Sequence, residues 1–302
     1  MSSQPTTAPG TFAPSDGIPP ALRSFYWGLR RELWENRSLY FAPLIAATAF
    51  LFGFLVNLFT LRHRVASGLL DAEQLREALT TRHDLAAALV MGTAFVVGIF
   101  YTIDALYGER RDRSILFWKS LPVSDLVTTL SKLTIPIIVV PMVSFAIALL
   151  AQFSMLLLST VMLMGSSANL GTIWTGTPFL RDSLALFYHL LAIHGLWYAP
   201  AYAWLLLVSA WAPRLPLLWA VLPPFVICGL ERIAFNTSHG LDLVKYRLLG
   251  PDNGMAPEHH HDLAATLIPQ HFFSAPGLWT GLVLAAALVF LTVRTRRYRG
   301  PI

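Results

Sequence analysis

Apolar residues come in long uninterrupted runs rather than at the alternating spacing of strands. Five runs cover about 39 to 60, 85 to 107, 184 to 211, 217 to 235 and 277 to 293, and a sixth lies within 130 to 164. Each is close to the roughly 20 residues a helix needs to cross the hydrocarbon layer. The pattern therefore predicts an all-α integral membrane protein with six transmembrane helices. Before the first run, residues 22 to 37 place Leu22, Tyr26, Leu29 and Leu33 on one helical face and Arg23, Arg30, Arg31 and Arg37 largely elsewhere, which predicts an N-terminal interfacial helix. Between the fifth and sixth runs, the apolar stretch 263 to 273 is too short to cross and predicts a re-entrant or interfacial helical segment.

The third run is longer than a single crossing needs, so one span or two cramped ones are both open. Charge decides between them. With one crossing and a cytoplasmic N-terminus, 14 of the 22 Lys and Arg fall inside. Two crossings would export Arg294, Arg296, Arg297 and Arg299, against the positive-inside rule. Both termini are then expected in the cytoplasm. Against this stand Arg62, Arg64, Arg76 and Arg82 in the first outer loop. Pro43, Pro136, Pro141, Pro200, Pro223 and Pro224 fall inside spans, where each removes a helix hydrogen bond and invites a kink.

Composition agrees with lipid as solvent: of 302 residues, 55% are hydrophobic and 13% carry DEKR charges, against about 25% charged in a soluble domain. The net charge of +5 is gathered beside the apolar runs, and no basic stripe interleaves with exposed aromatics, so nucleic acid is not an expected partner. Cys228 is the single cysteine, which excludes an intrachain disulfide. Residues 1–20 are rich in Pro, Ser, Thr and Gly without a charged and then apolar leader, and are expected to form a disordered tail preceding a six-span domain over 21–302.

The densest chemistry lies in residues 108 to 133, between the second and third runs. Glu109, Arg110, Arg111, Asp112 and Arg113 are consecutive charges, followed by Ile115, Leu116 and Trp118. Ser120, Leu121 and Pro122 end the segment before Ser124 and Asp125 offer a helix N-cap. A short helix of this kind can seat aromatic residues in a partner's groove while its charges set orientation; an ordinary positive-inside anchor would carry the same charges. No G-x-x-x-x-G-K-[ST], H-E-x-x-H, C-x-x-C or G-x-S-x-G occurs, so no enzymatic signature is present and no P-loop can cradle nucleotide.

Elsewhere, Glu258, His259, His260, His261 and Asp262 concentrate metal-capable ligands in the last outer loop, but a site normally draws its ligands from several elements and a solvated loop is the expected reading. No metal is assigned; His259, His260 and His261 are the weak candidates. His189 and His194, five apart in the fourth span, are structural or part of a polar pathway, and Glu231 at the end of the fifth is an intramembrane charge that merits a functional hypothesis.

Glu109, Arg110, Ser114, Ile115, Ser120, Pro122, Val123, Ser124 and Lys132 resemble the segment that follows the second span in the type-2 ABC transporter permease family, and residues 30 to 45 are similar to the start of its members. The likeness extends over nearly the whole chain after residue 20. It implies a permease subunit of an ATP-driven exporter in a bacterial inner membrane, pairing with a second permease copy, the same or different, and with cytoplasmic ABC ATPases. ATP and Mg would be bound by that partner and no cofactor by this chain. Residues Glu109 to Arg113, Ile115, Trp118, Ser120 and Pro122 would form the cytoplasmic coupling helix, and His189, His194 and Glu231 would belong to a pathway for a hydrophobic or amphipathic substrate such as a lipid, peptide or drug. The contrasting expectation, independent of the resemblance, is a membrane metal-handling protein or membrane enzyme that uses the outer histidine cluster.

Overall fold

The computed structural model describes residues 19–164, 171, 174, 179–250 and 272–302, all helix and connecting turns. Helix α1 (Pro20–Glu35) leads into α2 (Ser38–Ala66), and a turn with Gly68 at positive φ passes to α3 (Ala72–Asp104). Asp71 caps α3: its carboxylate accepts from the Gln74 amide while the Gln74 side chain accepts from the Asp71 amide, so two orphan donors are satisfied together. Two short helices follow, α4 (Tyr107–Arg111) and α5 (Ile115–Ser120). The third apolar run is then one continuous helix rather than two cramped spans: α6 (Asp125–Thr134), a π-helical turn at Ile135–Val139, and α7 (Val140–Leu163). Pro136 and Pro141 account for the turn, since each removes an amide from the ladder and widens it.

At 1.5 Å per residue, α2 is roughly 43 Å long and α3 roughly 50 Å, against a hydrocarbon thickness of about 30 Å. These two helices and α7 therefore outreach a bilayer. Phe54, Leu58, Leu61, Val65, Leu75, Leu79, Met155, Leu156 and Leu163 form a shared core at that far end. The length of the third apolar run follows, because α7 has to accompany α2 and α3 to their tips. Arg62 and Arg64 lie in the last turns of α2, and Arg76 and Arg82 in the first turns of α3.

The second half begins with α8 (Phe179–Tyr188), a π-helical turn at His189–His194 and α9 (Gly195–Trp197), which together bend by 52° at Tyr198 into α10 (Ala199–Trp211). Helix α11 (Pro216–Phe235), α12 (His239–Leu249), a short 3-10 turn at Phe272–Ser274 and α13 (Pro276–Tyr298) complete the described chain. The helices α10 and α13 pack through small residues, Ala199, Ala203 and Ala285, which lets their backbones approach closely. By contrast α11 buries only Ala220 and touches the bundle mainly through its two ends.

Among the described residues, five helices are long and apolar enough to cross a membrane, and the bent pair Phe179–Trp197 with Ala199–Trp211 supplies a sixth if it is one span. Helix α1 packs along α6 and presents Leu29 and Leu33 to the cluster around Leu39, Tyr101 and Ile135. Leu22 and Tyr26, expected on the same face, are more than half exposed.

Candidate functional site

The connection from α3 into α4 and α5 sits at the end of the bundle where α1, α6, α10 and the last turn of α13 converge. Two amides freed by the bend at residues 105–106, those of Leu106 and Tyr107, both donate to Ser209 Oγ on α10 at 2.9 Å. The bend thereby aims α4 across the base of the helices. Its Glu109 and Arg110 are buried, 6% and 4% exposed, and so turn into the bundle rather than toward a partner.

Glu109 accepts from Arg296 Nη1 at 2.8 Å through Oε2, and its Oε1 lies 3.1 Å from Lys132 Nζ, held by charge without an aligned hydrogen bond. Lys132 also donates to Glu32 Oε1 at 2.6 Å, and Tyr101 Oη donates to Glu32 Oε2 at 2.9 Å. Arg296 Nε donates to Asp125 Oδ1 at 3.0 Å, and Arg31 approaches Glu109 Oε1 at 3.9 Å. Three carboxylates thus face three cations from α1, α4, α6 and α13. Glu32, Glu109, Lys132 and Arg296 are all buried. Charges taken so far from water persist only when paired and hydrogen-bonded, and losing one partner strands the rest. The network is a clamp that ties the segment between the second and third spans to the first and last helices.

Arg110 turns the other way. Its Nη1 donates to the carbonyls of Ala210 and Ala212 at 2.9 and 3.0 Å, capping the C-terminus of α10, and its Nε donates to the Gly300 carbonyl at 3.3 Å. The Ile302 amide donates to the Arg110 carbonyl, and Lys119 Nζ donates to the Arg299 carbonyl at 2.9 Å. The strand of chain after α13 therefore lies along α4 and α5.

The remaining residues singled out from the sequence divide by exposure. Arg111 pairs with Asp104 at 3.7 Å and with Asp112 at 3.1 Å on the surface, and Arg113, also exposed, takes positive φ where the chain turns from α4 into α5. Ile115 is buried, whereas Leu116 and Phe117 are 59% and 58% exposed. Trp118, expected to be the outward aromatic, instead turns inward: the Arg31 guanidinium stacks on its ring at 3.4 Å from the centroid. Ser120 Oγ donates to the Phe117 carbonyl and closes α5, Pro122 holds Leu121 extended, and Ser124 Oγ accepts the Val127 amide as the N-cap of α6.

The proposed pathway residues take no part in this network. His194 is buried, with its Nε2 3.2 Å from Tyr202 Oη and its ring beside Phe95 and Tyr198. Residues 189–194 form a π-helical turn, whose wider winding brings residues five apart nearer to one face than an α-helix would. Glu231 caps α12: its carboxylate accepts from Thr237 Oγ1 and the His239 amide at 2.8 Å and from the Gly240 amide at 2.7 Å. Helix α12 is also held from inside. Arg247 lies 4.6 Å from the Trp197 ring centroid and donates to the Gly277 carbonyl, and burial lowers its pKa from the ordinary guanidinium value. Gly277 and Gly281 leave the room that the Tyr246 ring and the Arg247 guanidinium occupy. His259, His260 and His261 lie outside the described residues, as do residues 263–271 of the expected re-entrant segment, and the described residues contain no group of three metal-capable side chains.

The sequence reasoning missed Glu32, Arg31, Tyr101, Asp125 and Arg296 as members of the site. The signal available was Glu32 four residues after Gly28, an acid on the same face of α1 as a residue that permits close helix approach. No family model, curated protein or solved structure matches the chain.

Proposed function

We propose that this chain is the membrane subunit of an ATP-driven exporter of the type-2 ABC permease kind, with α4 and α5 as the coupling segment for a separate cytoplasmic ATPase. The observation that carries the reading is the division of labour within residues 107–120. Glu109 and Arg110 root the segment among helices from both halves of the chain, while Leu116 and Phe117 stand exposed beside it. A force applied to the exposed pair would reach α1, α6 and α13 through buried ion pairs and α10 through the Arg110 hydrogen bonds, links that tolerate little slack. An ordinary topological anchor needs no such rooting.

In this reading the bent pair α8 to α10 counts as one span, giving six, and the end bearing the charge network faces the cytoplasm together with both termini. The poorly buried α11 gives a second permease copy a surface to meet. The substrate would be hydrophobic or amphipathic, and ATP and Mg would be held by the partner. The test is complex formation with the ATPase: Phe117→Ala should leave the protein in the membrane and abolish co-purification of the ATPase and ATP-dependent export, whereas undiminished complex and export would remove the coupling assignment.

A further inference from the structure

A groove of about 360 Å³ opens between α1, α5 and α6 and borders the charge network, sharing Arg31 and Glu32 with it. Its lining holds two guanidiniums, Arg23 and Arg31, and one carboxylate, Glu32. Glu32 is already neutralised by Lys132 at 2.6 Å and bonded by Tyr101. Arg31 shares its charge with Glu35 at 2.7 Å and lies flat on Trp118. Arg23 is exposed and its guanidinium makes no ion pair with any described residue. Trp118 Nε1, on the ring that walls the groove, is buried without a hydrogen-bond acceptor. Leu121, Val123 and Val127 supply an apolar wall. A cationic rim over an apolar wall, with an unused donor nearby, is complementary to an anion carried on an apolar body.

The depth of the groove narrows the source of that anion. On the outer surface of α1, Arg23, Trp27, Arg30 and Trp34 alternate at spacings of four and three residues, so they form one stripe. Arg30 lies 5.2 Å from the ring centroids of both tryptophans, which are 51% and 70% exposed. Exposed tryptophans between arginines belong at the headgroup layer, and Trp27 is shared between this stripe and the groove. The groove therefore opens where lipid phosphates lie.

We propose that the groove between α1, α5 and α6 is a binding site for an anionic phospholipid, its phosphate held by Arg23 and Arg31 and its glycerol and upper acyl region by Leu121, Val123 and Val127. The assignment requires a membrane but not an ATPase, so it stands apart from the exporter reading. Because Arg31 stacks on Trp118, an occupied groove would also steady α5.

Purified full-length protein in phosphatidylcholine nanodiscs, with and without phosphatidylglycerol, tests this through lipid retention measured by native mass spectrometry after release into detergent. Wild-type protein should retain phosphatidylglycerol in preference to phosphatidylcholine. Arg23→Gln, at an exposed position whose loss cannot unfold the bundle, should weaken that preference about fivefold, the worth of one basic residue at an anionic surface. Thr128→Trp, which fills the groove without changing charge, should abolish the preference while the protein remains monodisperse. Arg37→Gln, outside the groove, is the control for surface charge and should have the smaller effect. Equal losses from Arg23→Gln and Arg37→Gln, or an unchanged preference in Arg23→Gln, would overturn the proposal. Inorganic phosphate displacing the retained phosphatidylglycerol at millimolar concentration would assign the groove to a soluble anion instead. Loss of ATPase binding in Arg23→Gln with lipid preference intact would give it to the protein partner, again against the proposal.

Discussion

Glu32 and Lys132, one hundred residues apart in the chain, meet at 2.6 Å in the interior, so that the interfacial helix and the third span share one buried ion pair. Neither residue has an alternative partner of equal quality: Lys132 reaches Glu109 at 3.1 Å, and Glu32 is otherwise bonded by Tyr101 and more weakly by Asn36.

Removing the cation at this point should be costly. Lys132→Met leaves Glu32 and Glu109 buried with too little positive charge, and a stranded partner of a buried pair typically costs about 3–5 kcal/mol. The expected result is a large fall in the thermal midpoint in detergent. The double change Glu32→Gln, Lys132→Met should recover much of that loss, because it removes charge in a balanced way.

Phe117 and Trp118 should separate binding from folding. Phe117 is 58% exposed, so Phe117→Ala should leave the melting temperature near wild type. An interface anchor is worth on the order of 2 kcal/mol, so the same change should weaken ATPase association more than tenfold. Trp118→Ala removes the surface on which Arg31 stacks and should lower thermal stability as well. Thermal melts beside pull-down with the ATPase distinguish the two patterns.

Topology can be read by cysteine labelling in a Cys228→Ser background. Thr295 lies next to Arg296 at the charged end of the bundle, while Ser238 lies beyond Glu231 at the opposite end. Ser238→Cys should react with an impermeant reagent added to intact cells and Thr295→Cys should not. The reverse labelling would invert the orientation proposed here.

A fourth expectation concerns the α12 cap. A Cβ on Gly277 would come within 2.6 Å of the Tyr246 ring, and one on Gly281 would collide with the Arg247 guanidinium. Gly277→Ala should therefore push the Tyr246 ring and α12 outward and destabilise the protein by about 1–3 kcal/mol, the usual cost of overpacking, whereas Gly281→Ala should only swing the Arg247 guanidinium aside and cost less. Increased protease sensitivity of residues 236–250 with an unchanged α4 and α5 region would report it.

The apolar runs made the long helices legible, and the Ser124 cap and the single third span were read correctly because capping chemistry and charge balance are local or additive. The charge network was not legible for a physical reason. Glu109 and Arg110 sit in a run of five charges, whose inward turn cannot be read unless their partners are known, and those partners, Lys132, Arg296, Ala210 and Ala212, come from elements distant in the chain. That Trp118 faces Arg31 while Phe117 faces outward was not legible, because α5 has only six residues and follows a turn with Arg113 at positive φ, which no periodicity reveals. The π-helical turn at residues 189–194 was likewise not legible, because apolar periodicity does not mark a local change in the number of residues per turn.

The central claim is that residues 115–120 touch an ATPase, and the most direct measurement is photo-crosslinking from that surface. A photoreactive amino acid at Phe117 and, as a control within the span α11, at Leu230, which is 60% exposed, would be incorporated in membranes of the native host and the captured protein sequenced. The account predicts that position 117 captures a protein carrying a G-x-x-x-x-G-K-[ST] motif and that position 230 does not. Failure of position 117 to capture such a protein, or equal capture from position 230, would contradict the reading of this chain as an exporter permease.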